Sequence, residues 1–356
     1  MGKFAILSAA VLVLAVFIGR RLYALNHMAL ASRELTQNHL PKCQLLEDIE
    51  FGAEDITILR DGLALLSTGL KYPGLPSYSD DPGKIYTLDL LSPDLRPVPL
   101  VIEGSLDLTT FNPHGISVFR DENDGAIYLF VVNHPHHASQ VEIFQFVEEK
   151  NSLLHLRTIK HDLLHNVNDI VAVGVDSFYA TNDAYSSNEG VKALVTIIGL
   201  AWCDVVYYSP TEVKVVAEGF NSANGINISP DHRYLYVSDI LDHEIDVLEI
   251  QKKDVLVPIK SIDVGSLCDN VEVDTETGDL WLGCHPNGAK FAFNNPEDPP
   301  GSEVIRIQNI HSEQPVVSQV YADDGKVIIG SSVAARYGKK LLIGTVYQRA
   351  LCCSLP

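Results

Sequence analysis

Residues 224–239, which read NGINISPDHRYLYVSD, form the stretch that decides the fold. It opens with polar residues, continues as a short apolar strand, turns through Asp231-His232-Arg233, and ends in a second strand rich in Tyr and Val. Short apolar runs separated by Pro, Asp and Asn are typical of β-hairpins. The stretch therefore predicts two antiparallel strands joined by a tight turn.

The same order of polar residue, strand, turn and strand recurs along the chain, with start-to-start spacings of about 45 to 65 residues. The six copies are residues 55–69, 114–134, 168–183, 224–239, 269–285 and 332–345. Such spacings fit four-stranded blades with variable loops, so we predict an all-β, six-bladed β-propeller. An open β-sandwich meander is the alternative fold.

The N-terminus differs from the rest of the chain, because residues 4–19 are an uncharged apolar run flanked by Lys3, Arg20 and Arg21. A run of 16 residues is short for a membrane span and suits the core of a signal peptide. The small-residue pattern at 29–31 lies well past the run, so we expect an uncleaved signal that remains as an anchor helix. We divide the chain into this anchor and linker, 1–32, and the propeller, 33–356. The protein is expected to be secreted or membrane-anchored.

Composition argues against one class of partner. The chain has 46 Asp and Glu against 26 Lys and Arg, which gives a formal net charge of −20. This excess argues against nucleic acid and favours carboxylate-rich cation sites, although most of these acids serve only to keep the surface soluble.

The cysteine content indicates a single cross-link. Six cysteines are too few for a disulfide scaffold and lack the paired spacing of zinc sites. Secretion permits a disulfide, and one from Cys43 to Cys353 would tie the start of the globular part to its end. Cys352 is the alternative partner.

The residues that open the six copies carry most of the candidate chemistry. In a propeller the first strand of each blade lines the central channel, so these residues converge although they are far apart in sequence. Nearly all have a side-chain oxygen, which is what calcium requires of its ligands. They are Glu54, Asp55, His114, Asn168, Asp169, Asn224, Asp269, Asn270, Ser331 and Ser332.

Four of these residues are carboxylates, which repel one another in a narrow channel unless cations compensate. Two calcium ions would balance them, and neutral Asn ligands suit calcium better than magnesium. Any single Asn-Asp or Asn-Gly pair can be a simple turn former. The prediction of a calcium channel therefore rests on the whole set.

Two histidines, His114 and His134, open and close the second copy, and antiparallel pairing can bring them together. A neutral imidazole in that place could take a proton from water while calcium polarises a carbonyl, which predicts a hydrolase. The alternative is that His134 belongs to a polar surface loop with no chemical role.

Longer motifs in this chain resemble the serum paraoxonase and arylesterase family of calcium-dependent lactonases over about residues 33–356. Among them are FNPHGIS (111–117), VVNHP (131–135), VNDIVAVG (167–174), ANGINISPD (223–231) and GDLWLGCHPNG (278–288). The resemblance implies an outer, catalytic calcium ion held by Glu54, Asn168, Asn224, Asp269 and Asn270. It also implies an inner, structural calcium ion held by Asp55, Asp169 and the backbone carbonyl of Ile116.

The resemblance further implies the base pair His114 and His134, the Cys43–Cys353 disulfide and a free thiol at Cys284. Tyr72 and His285 match pocket positions of the family, whereas Ser222 stands where some members carry an aromatic residue. The family's NDHY motif reads Asn182-Asp183-Ala184-Tyr185 here, and residues 186–198, in the region of a helical lid, diverge.

These observations predict a calcium-dependent hydrolase of lipophilic lactones and aryl esters, with weak organophosphate hydrolysis, on a lipid membrane or lipoprotein surface. A non-catalytic, calcium-stabilised propeller associated with lipid or lipoprotein is one alternative. A sugar-lactone hydrolase of a related propeller family is the other. The sequence leaves open whether the chain forms a homo-oligomer. The sequon at Asn227 lies in an expected inner strand, so we expect it to be poorly glycosylated.

Overall fold

The computed structural model describes residues 2–30, 32–73, 75 and 79–356. Within these ranges the chain forms 25 strands in six sheets, which stand around a central channel as the blades of a propeller. Each of the six sequence copies forms the two innermost strands of a blade, paired antiparallel. The prediction of an all-β, six-bladed propeller is confirmed.

The strands are numbered along the chain, beginning with the short strand β1 (Gln44–Leu45). Blade one contains β2 (Ala53–Ile58), β3 (Leu63–Thr68), β4 (Lys84–Asp89) and β5 (Val98–Pro99). Blade two contains β6 (Val101–Glu103), β7 (Pro113–Arg120), β8 (Ile127–Asn133), β9 (Gln140–Val147) and β10 (Ser152–Ile159). Blade three contains β11 (Val167–Gly174), β12 (Ser177–Asn182), β13 (Cys203–Ser209) and β14 (Glu212–Phe220).

Blade four contains β15 (Ala223–Ile228), β16 (Tyr234–Asp239), β17 (Glu244–Gln251) and β18 (Val255–Asp263). Blade five contains β19 (Leu267–Val273), β20 (Leu280–His285), β21 (Ser302–Gln308) and β22 (Val316–Asp323). Blade six contains β23 (Ser331–Tyr337), β24 (Lys340–Thr345) and β25 (Ala350–Ser354), with β1 as its outermost strand. Short 3₁₀ turns lie at Leu108–Thr110, Pro135–His137, Glu148–Lys150 and Lys252–Asp254.

The hydrophobic core lies between neighbouring blades. Phe130 of blade two packs against Phe178 of blade three, and Tyr236 of blade four packs with Leu282 of blade five. Each sheet thus buries both faces, which explains why strands such as β8 are apolar almost throughout and do not alternate. Burial on both faces places the first strands side by side around the channel, where β2, β7, β11, β15, β19 and β23 contact one another in a closed ring.

Both ends of the propeller meet in blade six. Gln44 of β1 pairs with Cys352 of β25, and a disulfide joins Cys43 to Cys353. The partner of Cys43 in the structure is therefore Cys353, while Cys352 is a buried free thiol. A cross-link between residues 310 positions apart closes nearly the whole propeller into one covalent ring.

The predicted free thiol at Cys284 is wrong, because Cys284 is bonded to Cys268. The two residues stand opposite each other on β19 and β20. Sequence resemblance described each cysteine separately, whereas strand register brings them together. In the part of the chain that the structure describes, the free cysteines are Cys203 and Cys352.

The N-terminal apolar segment is a helix, α1 (Gly2–Met28), of which Ser8–Met28 is long and apolar enough to cross a membrane by length and composition. Its end is tied to the propeller. Arg21 donates from Nε to the carbonyl of Ile197 at 2.8 Å, at the end of α2 (Glu189–Ile198). The carbonyl of Ala29 accepts from the N–H of Gly288 at 2.8 Å, at the start of α3 (Gly288–Phe293). The apolar helix therefore stands beside the loops that follow the second strands of blades three and five.

The sequon asparagine contributes to packing between blades. Asn227 Nδ2 donates to the carbonyl of Val271 at 2.8 Å, and Asn227 Oδ1 accepts from the N–H of Ile228 at 2.8 Å. Both polar ends of the side chain are thus engaged within the propeller.

Candidate functional site

Every blade has an irregularity at the start of its innermost strand. The antiparallel register with the second strand shifts after Ala53, Pro113, Val167, Ala223, Cys268 and Ser331. A bulge leaves residues unpaired and turns their side chains away from the regular alternation. The residues within these shifts are Glu54, His114, Gly115, Asn168, Asp169, Asn224, Gly225, Asp269, Asn270 and Ser332. The bulges thus carry nearly all the polar residues that the sequence placed at the channel.

Three of the predicted carboxylates, Glu54, Asp55 and Asp169, have raised pKa values. Burial is the largest cause that raises the pKa of Glu54 well above its usual value, and repulsion from Asp269, Asp55 and Asp169 adds to it. Burial also raises the pKa of Asp55 to about 7. The pKa of Asp169 is raised well above its usual value, first by burial and then by Asp55. Negative charge at this place is costly unless a cation or a proton accompanies it.

Four side-chain oxygens of the predicted outer ligand set are buried without a hydrogen-bond partner. They are Oε2 of Glu54 and the Oδ1 atoms of Asn168, Asn224 and Asn270. A buried oxygen without a partner costs about 1–3 kcal/mol, so four of them among the predicted ligands indicate an electropositive ligand. Carboxylate and amide oxygens are the donors that calcium prefers, so this set fits calcium.

Neighbouring side chains determine which end of two of these amides faces the channel. Asn270 Nδ2 donates to Oε1 of Glu54 at 2.9 Å and to its backbone carbonyl at 3.0 Å. Asn168 Nδ2 donates to Oδ2 of Asp183 at 3.2 Å. Because each NH₂ group is engaged, the amide oxygen is the atom left over for a cation.

The outer set depends on these amides. Among the described residues, no three His, Cys, Asp or Glu side chains are grouped so that they could hold a metal ion by themselves. Any cation at the outer set would therefore be held largely by asparagine, with Glu54 and Asp269 as its carboxylates.

The predicted inner ligands have a structural role of their own. Asp55 Oδ2 accepts from the N–H of Ile116 at 2.7 Å, which ties blade one to blade two. Asp169 Oδ2 accepts from the N–H of Ile226 at 2.8 Å, which ties blade three to blade four. Space here is tight, because a Cβ added to Gly115 would lie 2.3 Å from Asp169 Oδ1. The structure thus brings Asp55, Asp169 and Ile116 into one connected region of the channel wall.

The predicted histidine pair is formed. His114 Nδ1 and His134 Nε2 are 3.0 Å apart, and His114 Nε2 is 3.6 Å from Glu54 Oε1. Burial lowers the pKa of His114 well below its usual value and that of His134 to about 4. Burial thus favours the neutral imidazole of His114, so its contact with Glu54 at 3.6 Å is not an ion pair. A neutral imidazole in contact with a second imidazole can accept one proton and pass on another.

Two of the three predicted pocket residues contact this pair or the outer ligand set. The ring of Tyr72 lies edge-on to His114, with 5.7 Å between ring centres. His285 Nε2 is 3.0 Å from Asp269 Oδ2, and its ring stacks on Phe291 at 3.8 Å. Ser222 Oγ donates to the carbonyl of Asp183 at 3.2 Å.

Sequence reasoning missed the role of Asp183. Its Oδ2 accepts from the hydroxyl of Tyr72 at 2.6 Å as well as from Asn168, so it connects the pocket to the ligand set. Burial raises its pKa, while those hydrogen bonds lower it. The signal was available, because Asp183 ends the third sequence copy as His134 ends the second and His285 the fifth.

Lys192 of α2 was also missed. Its Nζ lies 5.1 Å from the centre of the Tyr72 ring and 3.5 Å from the Tyr72 hydroxyl. It forms an ion pair with Glu189 one turn earlier, at 3.1 Å. The segment that contains Lys192 diverged from the family pattern, so its sequence gave no position for this side chain.

Comparisons with known proteins identify the family of this chain. A sequence model of the family described as "Arylesterase" matches residues 34–355. "Serum paraoxonase/arylesterase 2" of Rattus norvegicus is 55% identical over 356 residues, which cover 100% of both chains. The Homo sapiens protein of that name is 56% identical over 339 residues, covering 95% of this chain and 96% of that protein. "Serum paraoxonase/arylesterase 1" of Homo sapiens is 55% identical over 327 residues, covering 91% and 92%.

Solved structures of distant sequence share the fold. Regucalcin of Agrobacterium tumefaciens, described as a calcium-binding protein, superposes with a TM-score of 0.54 at 12% identity, covering 90% of this chain and 96% of that one. A luciferin-regenerating enzyme gives a TM-score of 0.53 at 11% identity, covering 88% and 94%. Identities this low speak for the fold alone. Family membership rests on the sequence matches: the chain belongs to the arylesterase family and is a hydrolase of the serum paraoxonase/arylesterase type.

Proposed function

We propose that this chain hydrolyses lipophilic lactones and aryl esters with the help of calcium, and organophosphates weakly. The observation that carries the proposal is the adjacency of the neutral histidine pair to Glu54, whose second carboxylate oxygen is among the four unpartnered oxygens. A base next to a cation site can add water to a carbonyl group, because the base takes the proton while the cation polarises the carbonyl.

Two sets of residues would hold calcium. The outer ion would be bound by Glu54, Asn168, Asn224, Asp269 and Asn270, and the inner ion by Asp55, Asp169 and the carbonyl of Ile116. When bound, the outer calcium supplies a positive charge that polarises the substrate carbonyl and stabilises the developing oxyanion. The inner set lies where hydrogen bonds already join blade one to blade two and blade three to blade four, so an ion there would add to the rigidity of the channel.

The histidine pair would supply the base. His114 Nε2 faces Glu54 and is the atom that would take a proton from water. His114 Nδ1 faces His134 Nε2 at 3.0 Å, so the proton on one ring can move to the other as the first is protonated. Ser139 Oγ lies 3.3 Å from His134 Nδ1 and holds the second ring in place.

The surroundings favour lipophilic substrates and a lipid surface. Large apolar side chains are exposed on α1, on α2 and in the loops next to the site. Those near the site are Tyr185, Val191, Leu194, Ile197, Ile198, Trp202 and Phe293. Because exposed apolar area of this kind marks membrane or partner contact, we propose that this end of the propeller rests on a membrane or lipoprotein. Residues 1–32 would be the retained signal and anchor, and residues 33–356 the hydrolase domain.

Turnover assays test the proposal. A long-chain lactone, phenyl acetate and a sugar lactone would each be offered to the purified protein in calcium and in excess chelator. We expect turnover of the first two in calcium and loss of it in chelator, because the carbonyl would no longer be polarised. Preference for the sugar lactone would favour the related propeller hydrolases. No turnover of any ester, with calcium bound, would favour the non-catalytic alternative, and full activity in chelator would refute a role for calcium.

A further inference from the structure

We propose that the Cys268–Cys284 disulfide is a covalent clamp on the bulge that carries Asp269 and Asn270, and that it sets the affinity of the outer site for calcium. The inference rests on the proposed function, since these two residues are taken there as calcium ligands. The two cysteines would then act as positioning residues for the metal site.

The clamp lies at the edge of the bulge. Cys268 is the last residue of β19 in register with β20 before the shift, and it faces Cys284 with 3.9 Å between their Cα atoms. Regular pairing resumes only with Val271 opposite Leu282. Asp269 and Asn270 thus lie in a stretch without regular partners in β20, where the ladder alone gives little restraint. The disulfide fixes the backbone where that stretch begins.

The same bond also fixes the partner of Asp269. His285 directly follows Cys284, and its Nε2 is 3.0 Å from Asp269 Oδ2. Asp269 directly follows Cys268, so the disulfide fixes the positions of both hydrogen-bonded residues relative to each other. Displacement of either strand would move the carboxylate and its imidazole partner apart.

Neighbouring blades support the clamp from both sides. Ser238 Oγ of blade four donates to the carbonyl of Cys268 at 2.5 Å. Ser331 Oγ of blade six donates to the carbonyl of Cys284 at 2.9 Å. Both cysteines are fully buried, so the bond is enclosed by the blades on either side.

Blade five has a particular need for such a restraint. It supplies two of the five proposed outer ligands, whereas blades one, three and four supply one each. A covalent link at the start of the bulge restrains both ligand residues in the metal-free protein, so less ordering is left to be done when calcium binds.

A pair of double variants separates this role from simple stabilisation. Cys268→Ala with Cys284→Ala removes the clamp, and Cys43→Ala with Cys353→Ala removes the other disulfide, which lies in blade six outside the proposed ligand set. Calcium itself is the probe, titrated in chelator-buffered solutions and followed by calorimetry, and circular dichroism verifies the fold. We expect the first variant to bind calcium roughly 10- to 100-fold more weakly, the usual effect of losing a residue that orients a ligand. The second should unfold at a lower temperature with calcium affinity within about twofold of the parent.

Three results would overturn the clamp. One is a non-reducing peptide map that shows Cys268 and Cys284 as free thiols. Another is a folded clamp-free variant with parental calcium affinity, and the third is an equal loss of affinity in the blade-six variant. If the clamp-free double variant does not fold, Cys268→Val provides the same comparison, because valine keeps the apolar volume and leaves a single thiol. A parent protein that binds no calcium would refute the proposed function as well, whereas a tightly binding parent with an unaffected variant refutes the clamp alone.

Discussion

Replacing Asn270 by aspartate tests the outer site most sharply, because calcium should reverse the sign of its effect. The two side chains have nearly the same shape, and Asn270 is only 1% exposed. Its Nδ2 donates to Glu54 Oε1 at 2.9 Å and to the Glu54 carbonyl at 3.0 Å. Asn270→Asp replaces this NH₂ group, which donates to two oxygens of Glu54, by a carboxylate oxygen that can only accept.

The cost in metal-free protein follows from these distances. Two carboxylates whose oxygens are 2.9 Å apart repel by about 6 kcal/mol at an effective dielectric constant of about 20. Protonating the new carboxyl avoids this, and holding an acid of ordinary pKa about 3.9 protonated at pH 7 costs about 4 kcal/mol. Protonation costs less than the repulsion between two ionised carboxylates, so it limits the destabilisation. We therefore expect a loss of up to about 4 kcal/mol in the free energy of unfolding.

Calcium should turn this loss into a gain of affinity, because an added negative ligand strengthens the binding of a hard cation. The assay is urea unfolding of parent and variant, each in saturating calcium and in excess chelator. We expect the stability difference between the two conditions to be larger in Asn270→Asp than in the parent. Asn270→Ala is the control, since it removes the hydrogen bonds and the ligand oxygen and should make that difference smaller. A difference in Asn270→Asp equal to or below that of the parent would show that Asn270 does not face a calcium ion.

Two further predictions concern the base and the effect of pH. His114→Gln should lower lactone turnover by about 10²- to 10⁴-fold, the usual contribution of a general base, while calcium affinity stays within about twofold. The matched control is His136→Gln, since His136 is exposed. Parental turnover in His114→Gln would remove His114 from the mechanism. Burial raises the pKa of Asp55 to about 7, so below that pH the metal-free protein holds a proton that calcium must displace. The calcium dissociation constant measured by calorimetry should therefore rise as the pH falls from 8 to 6, and a constant value would contradict the placement of Asp55 at a cation site.

Local features of the sequence were enough to predict the architecture and most of the channel. Hairpins such as 224–239 are encoded by neighbouring residues, and the polar residues at their starts lie on the one strand of each blade that faces the axis. The histidine pair followed from the same logic, because His114 and His134 flank the two strands of a single hairpin. No contact between distant segments was needed for any of these predictions.

What the sequence did not show depends on contacts between distant segments or on strand register. Tyr72 and Asp183 are 111 residues apart and meet only because blades one and three face a common channel end. The Cys268–Cys284 bond depends on the register of β19 against β20 next to a bulge, which a pattern of apolar residues does not specify. The contact of Arg21 with α2 joins two segments for which the sequence suggested separate roles.

The way blade six is assembled has a consequence for biosynthesis. Its outermost strand, β1, leaves the ribosome before any other strand, whereas its partner β25 leaves last. Strand β1 must therefore remain unpaired while five blades form. The backbone carbonyl of Glu54 accepts a hydrogen bond from the Ser332 hydroxyl, at 2.6 Å, only after β23 has been synthesised. The ring of first strands around the channel is thus closed only after nearly the whole propeller has been translated. A truncated product that lacks β23 to β25 would contain the proposed ligand residues without a closed ring to hold them together.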